Sequence, residues 1–192
     1  MYKKYIFPLQ IFLILEKSNI LFWNSKALTP NSYICLLNYK WFYTLNLILR
    51  NEVFLNASTL IENTAIDTRL MNNSNNKLNI FFNNNKLLNC YIYYFFNIKL
   101  KLIFLINLKN NYKPYMYSID KIFPNANWLE RETSEMYGIL YYFKYDMRKL
   151  LLDYSKLENP LLKDFSSEGI QDVFYNFFEN QVTLNKSEII EL

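Results

Sequence analysis

Alternating apolar and polar positions divide the first half of this chain into short strands and helices. Residues Ser32 to Leu37 have the pattern of a short strand, and aromatic and aliphatic side chains cover most of the surface of a helix predicted from Trp41 to Arg50. Both elements are expected to be buried. Residues Thr59 to Ile66 alternate well enough to predict a strand that ends near Asp67.

Two longer runs rich in aromatic and β-branched residues predict the centre of a sheet. Leu87 to Phe96 and Ile98 to Leu108 meet at Asn97, which indicates a tight hairpin. Alternation along the second run assigns one of its faces to the core, namely Leu100, Leu102, Phe104 and Ile106. The other face carries Lys99 and Lys101 before its apolar residues, so we expect it to begin exposed and become buried.

Helical signals return after Pro114. A turn is expected from Ser118 to Phe123, followed by a helix from Trp128 to about Tyr137. Asn127 suits the cap of this helix, and Glu130 completes a capping-box pair.

The end of that helix and the next element are also predicted by local signals. Gly138 suits the residue just past the helix end. A second short helix is expected to start at Asp146 and to run through Leu152. Beyond Asp153 and Tyr154 the chain is polar and is interrupted by Pro160 and Gly169. This part is predicted to be an extended tail that needs another surface.

Two further segments stand outside these elements. The apolar run from Tyr5 to Leu15 is too short to span a bilayer and has no small-x-small cleavage site after it. It predicts a partly buried N-terminal helix, with contact to a membrane surface as the alternative. The Asn-rich stretch from Met71 to Lys77 predicts a mobile loop.

The composition excludes several kinds of catalytic and metal-binding chemistry. The chain has no His, two Gly and two Cys. The commonest acid-base group near neutral pH and the commonest transition-metal ligand are thus missing. Cys35 and Cys90 are far apart and cannot alone supply four ligands to an iron–sulfur cluster, so buried free thiols are expected. The favoured residues have AT-rich codons, which suggests an organellar gene, and no Arg-rich import peptide precedes Arg50.

The charge is distributed unevenly. Fourteen basic and five acidic residues precede Ala126, whereas seven basic and twelve acidic residues follow it. A basic lobe beside an acidic one suits nucleic acid, an anionic membrane surface or complementary protein neighbours. With the abundant aromatic side chains, it leaves a basic organellar RNA-binding protein open as the alternative function.

One carboxylate is singled out by a helical wheel of the helix from Trp128 to Tyr137. Glu132 falls on the apolar half, where a lone carboxylate needs a cationic partner or a raised pKa. Arg148 is the predicted partner in a structural ion pair. A proton-transfer role for Glu132 is the less favoured alternative, because structural networks also perturb carboxylates.

Several blocks in register resemble one protein family. They are Ile122 to Gly138, Asp146 to Tyr154, Asn159 to Phe165, Gly169, and Val173 to Tyr175. Their order and spacing resemble the 30 kDa-type subunit of respiratory complex I, which in mitochondria is NADH dehydrogenase subunit 9. The resemblance covers roughly residues 57 to 185. It departs at Lys144-Tyr145, Ser155-Lys156, Glu158-Asn159, Leu162 and Ser166.

The resemblance implies a fold and a function. The fold is α+β, with a mixed sheet packed with helices and followed by an extended C-terminal tail. The function is that of a cofactor-free structural subunit in the matrix arm of NADH:ubiquinone oxidoreductase, with FMN, iron–sulfur clusters and ubiquinone bound elsewhere in the complex. The expected location is the matrix side of the mitochondrial inner membrane. The expected neighbours are the large quinone-site subunit and small iron–sulfur subunits, with no nucleic acid.

The same resemblance gives domain boundaries and docking residues. We expect an N-terminal extension over residues 1–30, a globular domain over 31–154 and a subunit-docking tail over 155–192. No catalytic, cofactor or metal residues are expected in this chain. The residues expected to contact other subunits are Trp128, Arg131, Tyr137, Asp153, Tyr154, Pro160, Lys163, Asp164 and Phe165.

Overall fold

The computed structural model describes residues 21–24, 32–51, 58–69, 87–97, 99–108, 113–154 and 158–187. The N-terminal run from Tyr5 to Leu15 and the Asn-rich loop from Met71 to Lys77 lie outside these residues, as do the predictions made for them. In chain order, the elements are β1 (Leu21–Asn24), β2 (Ser32–Asn38), α1 (Tyr39–Asn51), β3 (Ser58–Asp67), β4 (Leu87–Phe95), β5 (Leu100–Asn107), β6 (Tyr115–Tyr117), α2 (Ala126–Tyr137), β7 (Leu140–Tyr142), β8 (Gln171–Asn176) and β9 (Gln181–Lys186).

A five-stranded mixed sheet forms the centre of the fold. Its strand order is β1-β2-β5-β4-β3, in which β2 runs parallel to β5 and the other neighbours are antiparallel. The predicted strands and the hairpin between β4 and β5 are confirmed. The hairpin turn includes Lys99 with a positive φ of 54°, and β5 is the middle strand. The α+β class with a mixed sheet is likewise confirmed.

The two faces of β5 differ in burial. Leu100, Leu102, Phe104 and Ile106 are buried as predicted, because they point into the main core with the aromatic residues of β4. On the opposite face, Lys99 is exposed, while Lys101, Ile103 and Leu105 are half-buried. That face therefore becomes partly, not fully, buried along the strand.

Helix α1 packs on the face of the sheet that carries Tyr91 and Tyr93. Phe42 of α1 lies against Tyr91 with ring centroids 4.6 Å apart. The Tyr93 hydroxyl donates a 2.5 Å hydrogen bond to Oδ1 of Asn46. The expectation that α1 is buried around most of its surface is wrong, since the helix has one packed side only. Its other side exposes Trp41, Leu47 and Ile48.

Helix α2 packs on the same face, beside β3, and begins earlier than predicted. It starts at Ala126, because turn hydrogen bonds from Ala126 N to Phe123 O and from Asn127 N to Pro124 O initiate it. The predicted Asn127 cap is therefore wrong. Asn125 occupies the cap position without a side-chain cap bond, since its amide donates instead to Leu60 O of β3.

The C-terminal end of α2 agrees with the sequence. Gly138 has φ +73° in the left-handed region and donates its N–H to Ser134 O at 2.9 Å. The second short helix expected from Asp146 through Leu152 is wrong: these residues form an irregular loop. Side chains from α2 bond the backbone of this loop, as described below, and replace the bonds that a helix would make within itself.

Two small sheets complete the described part of the chain. Strands β6 and β7 pair in parallel, and Met116 in the middle of β6 is fully buried. Strands β8 and β9 form an antiparallel hairpin, hereafter the C-terminal hairpin, in the segment predicted as a tail. Cys35 and Cys90 are free and buried as expected. Among the described helices, none has the length and apolar character needed to cross a bilayer.

Candidate functional site

A fully buried ion pair joins α2 to the segment that follows β7. The side chains of Glu130 and Lys144 are both 0% exposed, and Lys144 Nζ lies 3.1 Å from Glu130 Oε2. The other bonds of this carboxylate come from the Ser118 hydroxyl at 2.5 Å and the Ile119 backbone N–H at 2.9 Å. The carboxylate thus has three donors, which offset the cost of removing it from water.

Burial raises the pKa of the Glu130 carboxyl above its usual range, while its hydrogen bonds and the Lys144 ammonium act in the opposite direction. The predicted buried pair of Glu132 with Arg148 is wrong. Glu132 is exposed, and Arg148 pairs with Asp146 at 2.9 Å. The physical reason is that α2 turns a different side to the sheet from the one its apolar residues suggest.

A group of hydrogen-bonded polar side chains joins α2 and β7 to β3 and β4. The Asn63 amide donates to the hydroxyls of Thr133 and Tyr141, each at 3.1 Å. The Asn89 amide donates to the same Tyr141 hydroxyl at 2.9 Å. All four residues are buried, and burial raises the pKa of Tyr141 to about 12. These bonds fix α2 and β7 against the sheet with neutral groups.

Two charged residues of α2 hold the loop from Asp146 to Leu151, hereafter the 146–151 loop. The Arg131 guanidinium donates to the carbonyls of Arg148 at 2.7 Å and Lys149 at 3.2 Å. The Glu135 carboxylate accepts the N–H groups of Leu150 and, at 2.8 Å, Leu151. Positions 131 and 135 are one helical turn apart, so both side chains reach the same loop.

A second ionic group ties the C-terminal segment to the end of β3. Arg69 donates to both oxygens of Asp67 at 3.0 Å and also to both oxygens of Asp164. The Lys163 backbone N–H donates to Asp67 Oδ2 at 3.0 Å. We call this group the Asp67–Arg69–Asp164 clamp. It connects residues nearly a hundred positions apart and fixes where the C-terminal segment leaves the domain.

The clamp perturbs the ionisation of its carboxylates. Burial of Asp67 opposes ionisation, but the bonds from Arg69 and from Lys163 N–H outweigh it and hold the pKa of Asp67 at about 2. The guanidinium beside Asp164 likewise lowers the pKa of that carboxyl. Both groups are therefore ionised at neutral pH.

The residues expected to contact other subunits divide into two kinds. Arg131 and Asp164 make the internal bonds just described, and Tyr137 packs half-buried against the main core. Trp128 is 61% exposed with the Arg131 guanidinium 5.6 Å from its ring centroid, and Tyr154 is 69% exposed. Asp153 and Lys163 are also exposed, while Pro160 and Phe165 are half-buried. The docking role of these positions stays a prediction.

The C-terminal hairpin exposes apolar side chains on both of its faces. Phe177 and Phe178, in the turn, are 81% and 99% exposed. The strands themselves expose Val173, Phe174, Tyr175, Val182 and Leu184. A two-stranded hairpin is marginally stable alone in water, and contiguous exposed apolar surface marks sites of protein contact. The exposed side chains of the hairpin therefore form a surface suited to contact with another protein.

Sequence reasoning missed Glu130, Lys144 and the clamp. The sequence does contain a signal for Glu130. The side of α2 that faces the sheet is formed by residues at helical spacing, namely Ala126, Glu130, Thr133 and Tyr137. Because these side chains are largely polar, a search for apolar residues at helical spacing does not identify this side of α2 as the buried one. For Arg69 and Asp164 no local signal exists, since their pairing depends on the path of the chain between them.

The described residues define a class of protein. The buried Glu130–Lys144 pair is satisfied by groups of this chain, and the described residues hold no cluster of His, Cys, Asp and Glu suited to a metal. Among the described elements, the C-terminal hairpin exposes a row of large apolar side chains. This is the arrangement of a subunit that works within a larger assembly.

Comparison with known proteins gives the family. Residues 40–171 match the family described as respiratory-chain NADH dehydrogenase, 30 kDa subunit. The chain is 36% identical over 186 residues to NADH-ubiquinone oxidoreductase subunit 9 of Paramecium primaurelia, covering 97% of this chain and 87% of that protein. The chain belongs to the 30 kDa subunit family of respiratory-chain NADH dehydrogenases.

Two solved structures share the fold. A chain of the archaeal membrane-bound sulfane sulfur reductase superposes with a TM-score of 0.63 at 16% identity, over 83% of this chain and 85% of that one. A trypsin-resistant fragment of Nqo5 superposes with a TM-score of 0.55 at 13% identity, over 71% of this chain and 98% of the fragment. At such identities the likeness concerns the fold alone.

Proposed function

We propose that this chain is a structural subunit of the peripheral arm of NADH:ubiquinone oxidoreductase and that it supports assembly of the module that reduces quinone. Electron transfer from NADH to ubiquinone is then a property of the whole complex. This chain contributes packing surfaces and binds no cofactor itself. FMN, the iron–sulfur clusters and ubiquinone lie on other subunits.

The observation that carries the proposal is the C-terminal hairpin with its exposed apolar side chains, on a chain of this family. Leaving several apolar side chains in water costs free energy that burial against a partner recovers, at about 25 cal/mol for each Å² covered. The clamp supports the same role, because it holds residues 163 and 164 against the domain while the hairpin projects beyond them. The segment over 155–192 is thus proposed as the subunit-docking part, following domain residues 31–154 and an N-terminal extension over 1–30.

The proposed partners are other subunits of the complex, chiefly the large quinone-site subunit and the small iron–sulfur subunits. Trp128 and Tyr154 are proposed to extend the docking surface, because each exposes most of its ring. The likeness to the Paramecium protein supports a mitochondrial location. We propose the matrix side of the inner membrane, and an organellar gene in line with the AT-rich codons of the favoured residues.

The test compares two truncations of the full chain in its assembled complex. Truncation after Gly169 removes the C-terminal hairpin and retains the clamp, whereas truncation after Tyr154 removes both. Both are expected to reduce the amount of chain that migrates with NADH dehydrogenase activity in a native gel. The longer truncation is expected to reduce it further, because the domain also loses the Asp164 bonds to Arg69.

Unchanged incorporation and activity in both truncated chains would contradict the docking role. Co-migration of the intact chain with ribosomal RNA, without NADH dehydrogenase subunits, would contradict the function as a whole. An exposed substitution away from the tail, Phe96→Ser in the turn between β4 and β5, is the matched control and should leave incorporation unchanged.

A further inference from the structure

A continuous strip of aromatic rings crosses the surface beside β6 and β7. Ring centroids follow one another from Tyr39 to Tyr115 at 5.8 Å, to Tyr142 at 5.2 Å, to Tyr117 at 6.4 Å and to Phe143 at 5.8 Å. We call these five residues the aromatic strip. Tyr142 is 47% exposed and Phe143 is 77% exposed, so the strip presents ring faces and edges to its surroundings.

The end of the strip is held in an uncommon backbone conformation. Phe143 has φ +63°, in the left-handed region that bulky residues rarely adopt. This conformation turns the chain so that Lys144 points inward to Glu130 while the Phe143 ring lies nearly parallel to that of Tyr117, at an interplanar angle of 13°. Such strain persists where the surrounding structure enforces it, and it is concentrated at functional surfaces.

A cavity of about 460 Å³ opens beside the strip. Tyr117 and Phe143 of the aromatic strip line it, as do the exposed residues Lys40 and Lys121. Asp120 also lines the cavity and adds one carboxylate to the side chains around it. The cavity therefore combines aromatic rings, two cationic side chains and one anionic side chain.

We propose that the aromatic strip and this cavity bind an acidic peptide segment of a neighbouring subunit. Its carboxylates pair with Lys40 and Lys121, and its apolar side chains lie on Tyr117 and Phe143. The inference rests on the proposed function, because it takes the partner to be a subunit of the same complex.

The mixed charges of the cavity favour a peptide over a nucleic acid. A phosphate backbone carries acceptors only, so it would meet the Asp120 carboxylate as a like charge. An extended peptide carries backbone N–H donors beside its carboxylates, and it satisfies both kinds of group at once. Aromatic side chains at the centre of such contacts contribute much of the binding energy.

The test is zero-length carbodiimide coupling on the intact purified complex, read by mass spectrometry. The reagent joins a lysine amine to a carboxylate that already contacts it. We expect coupled peptides between Lys40 or Lys121 and an Asp or Glu of another subunit. We also expect both lysines to be acetylated at least about tenfold more slowly in the complex than in the isolated full chain, since a covered amine reacts only when the contact opens.

The control is Lys99, which is exposed in the turn just before β5. Its acetylation rate reports the general accessibility of lysines in the chain. If the chain co-purifies with the complex and Lys40 and Lys121 react as in the isolated chain, this inference is overturned while the proposed function stands. Protection that ribonuclease removes would overturn the inference as well. If the chain is not in the complex at all, the proposed function itself fails.

Discussion

At the scale of single residues, the protein buries charges and satisfies them within its own chain. Glu130 and Lys144 neutralise each other, Asp67 accepts bonds from Arg69, and Arg131 bonds the carbonyls of the 146–151 loop. Removing one member of a buried pair leaves the other charge buried without a partner, and this destabilises the fold strongly. Replacing the whole pair by apolar residues changes the stability far less. The destabilisation caused by a substitution in such a pair therefore comes from the unpaired charge that remains buried.

Replacement of Glu130 by Gln is expected to destabilise the fold by about 3–5 kcal/mol, because the Lys144 ammonium stays buried without a counter-charge. Glu132→Gln, on the same helix but exposed, is the matched control and should change the free energy of unfolding by less than about 0.5 kcal/mol. Urea denaturation of the isolated chain measures both. Equal losses for the two variants would show that the Glu130 pair has no special structural weight.

The clamp is expected to weaken in acid. The pKa of Asp67 is about 2 in the folded chain, below its ordinary value of 3.8, so folding favours the ionised form. Its contribution to stability is complete above pH 4 and decreases as the pH falls toward 2. In Asp67→Asn this part of the pH dependence should disappear, and in the control Asp172→Asn, on the exposed hairpin, it should remain. Unfolding free energies measured between pH 5 and pH 2 would refute the expectation if the wild type and Asp67→Asn kept the same slope.

At the scale of elements, α2 shows how a helix with few apolar contacts can still organise a domain. The side that faces the sheet carries Glu130 and Thr133, and Arg131 and Glu135 are buried beside it. These residues bond a turn, a strand and a loop, so the helix acts through hydrogen bonds where most helices act through apolar packing. A wheel that assigns the apolar half to the core then selects the wrong side, as it did for Glu132.

The end of α2 permits a prediction with an internal control. A Cβ added to Gly138 would lie 2.9 Å from Asn159 Nδ2, whereas one added to Gly169 meets nothing within 4 Å, and both glycines have positive φ. Gly169→Ala is expected to lose about 1–2 kcal/mol from backbone strain alone. Gly138→Ala should lose more, because Asn159 must also move. Chemical denaturation compares them, and a Gly138→Ala loss no larger than that of Gly169→Ala would contradict the packing of Asn159 against the helix end.

At the scale of the whole molecule, the isolated chain presents apolar surface that the assembled complex is proposed to cover. Two such surfaces stand out, the C-terminal hairpin and the aromatic strip. They lie on different elements, so the chain is suited to contact more than one neighbour. Exposed strands and exposed aromatic side chains also favour association between copies when the proper partners are missing.

The isolated full chain is accordingly expected to self-associate, and a Phe177→Ser and Phe178→Ser double variant is expected to do so less. Sedimentation velocity over a range of concentrations measures the change, with Phe96→Ser as the control of equal chemistry elsewhere on the surface. A double variant that associates as strongly as the wild type would show that self-association does not occur through the hairpin turn.

Much of the fold was predictable from local pattern. The strands β2 to β5, their hairpin and the Gly138 helix end follow from alternation and from residues with special backbone freedom, which act over a few neighbouring positions. The 146–151 loop was not predictable, because its helix-like sequence is overridden by Arg131 and Glu135 from another element. Strands β8 and β9 were missed for a related reason: both of their faces are exposed, so they lack the alternation by which a half-buried strand is recognised.

The amino-acid sequence by itself determined the family, the mixed α+β class and the lack of histidine chemistry, since these depend on residue identity and spacing along the chain. The tertiary structure alone decided which carboxylate is buried and which cation meets it. Glu130 and Lys144, or Arg69 and Asp164, become neighbours only when distant elements pack, and the free energy of a buried charge depends on that packing.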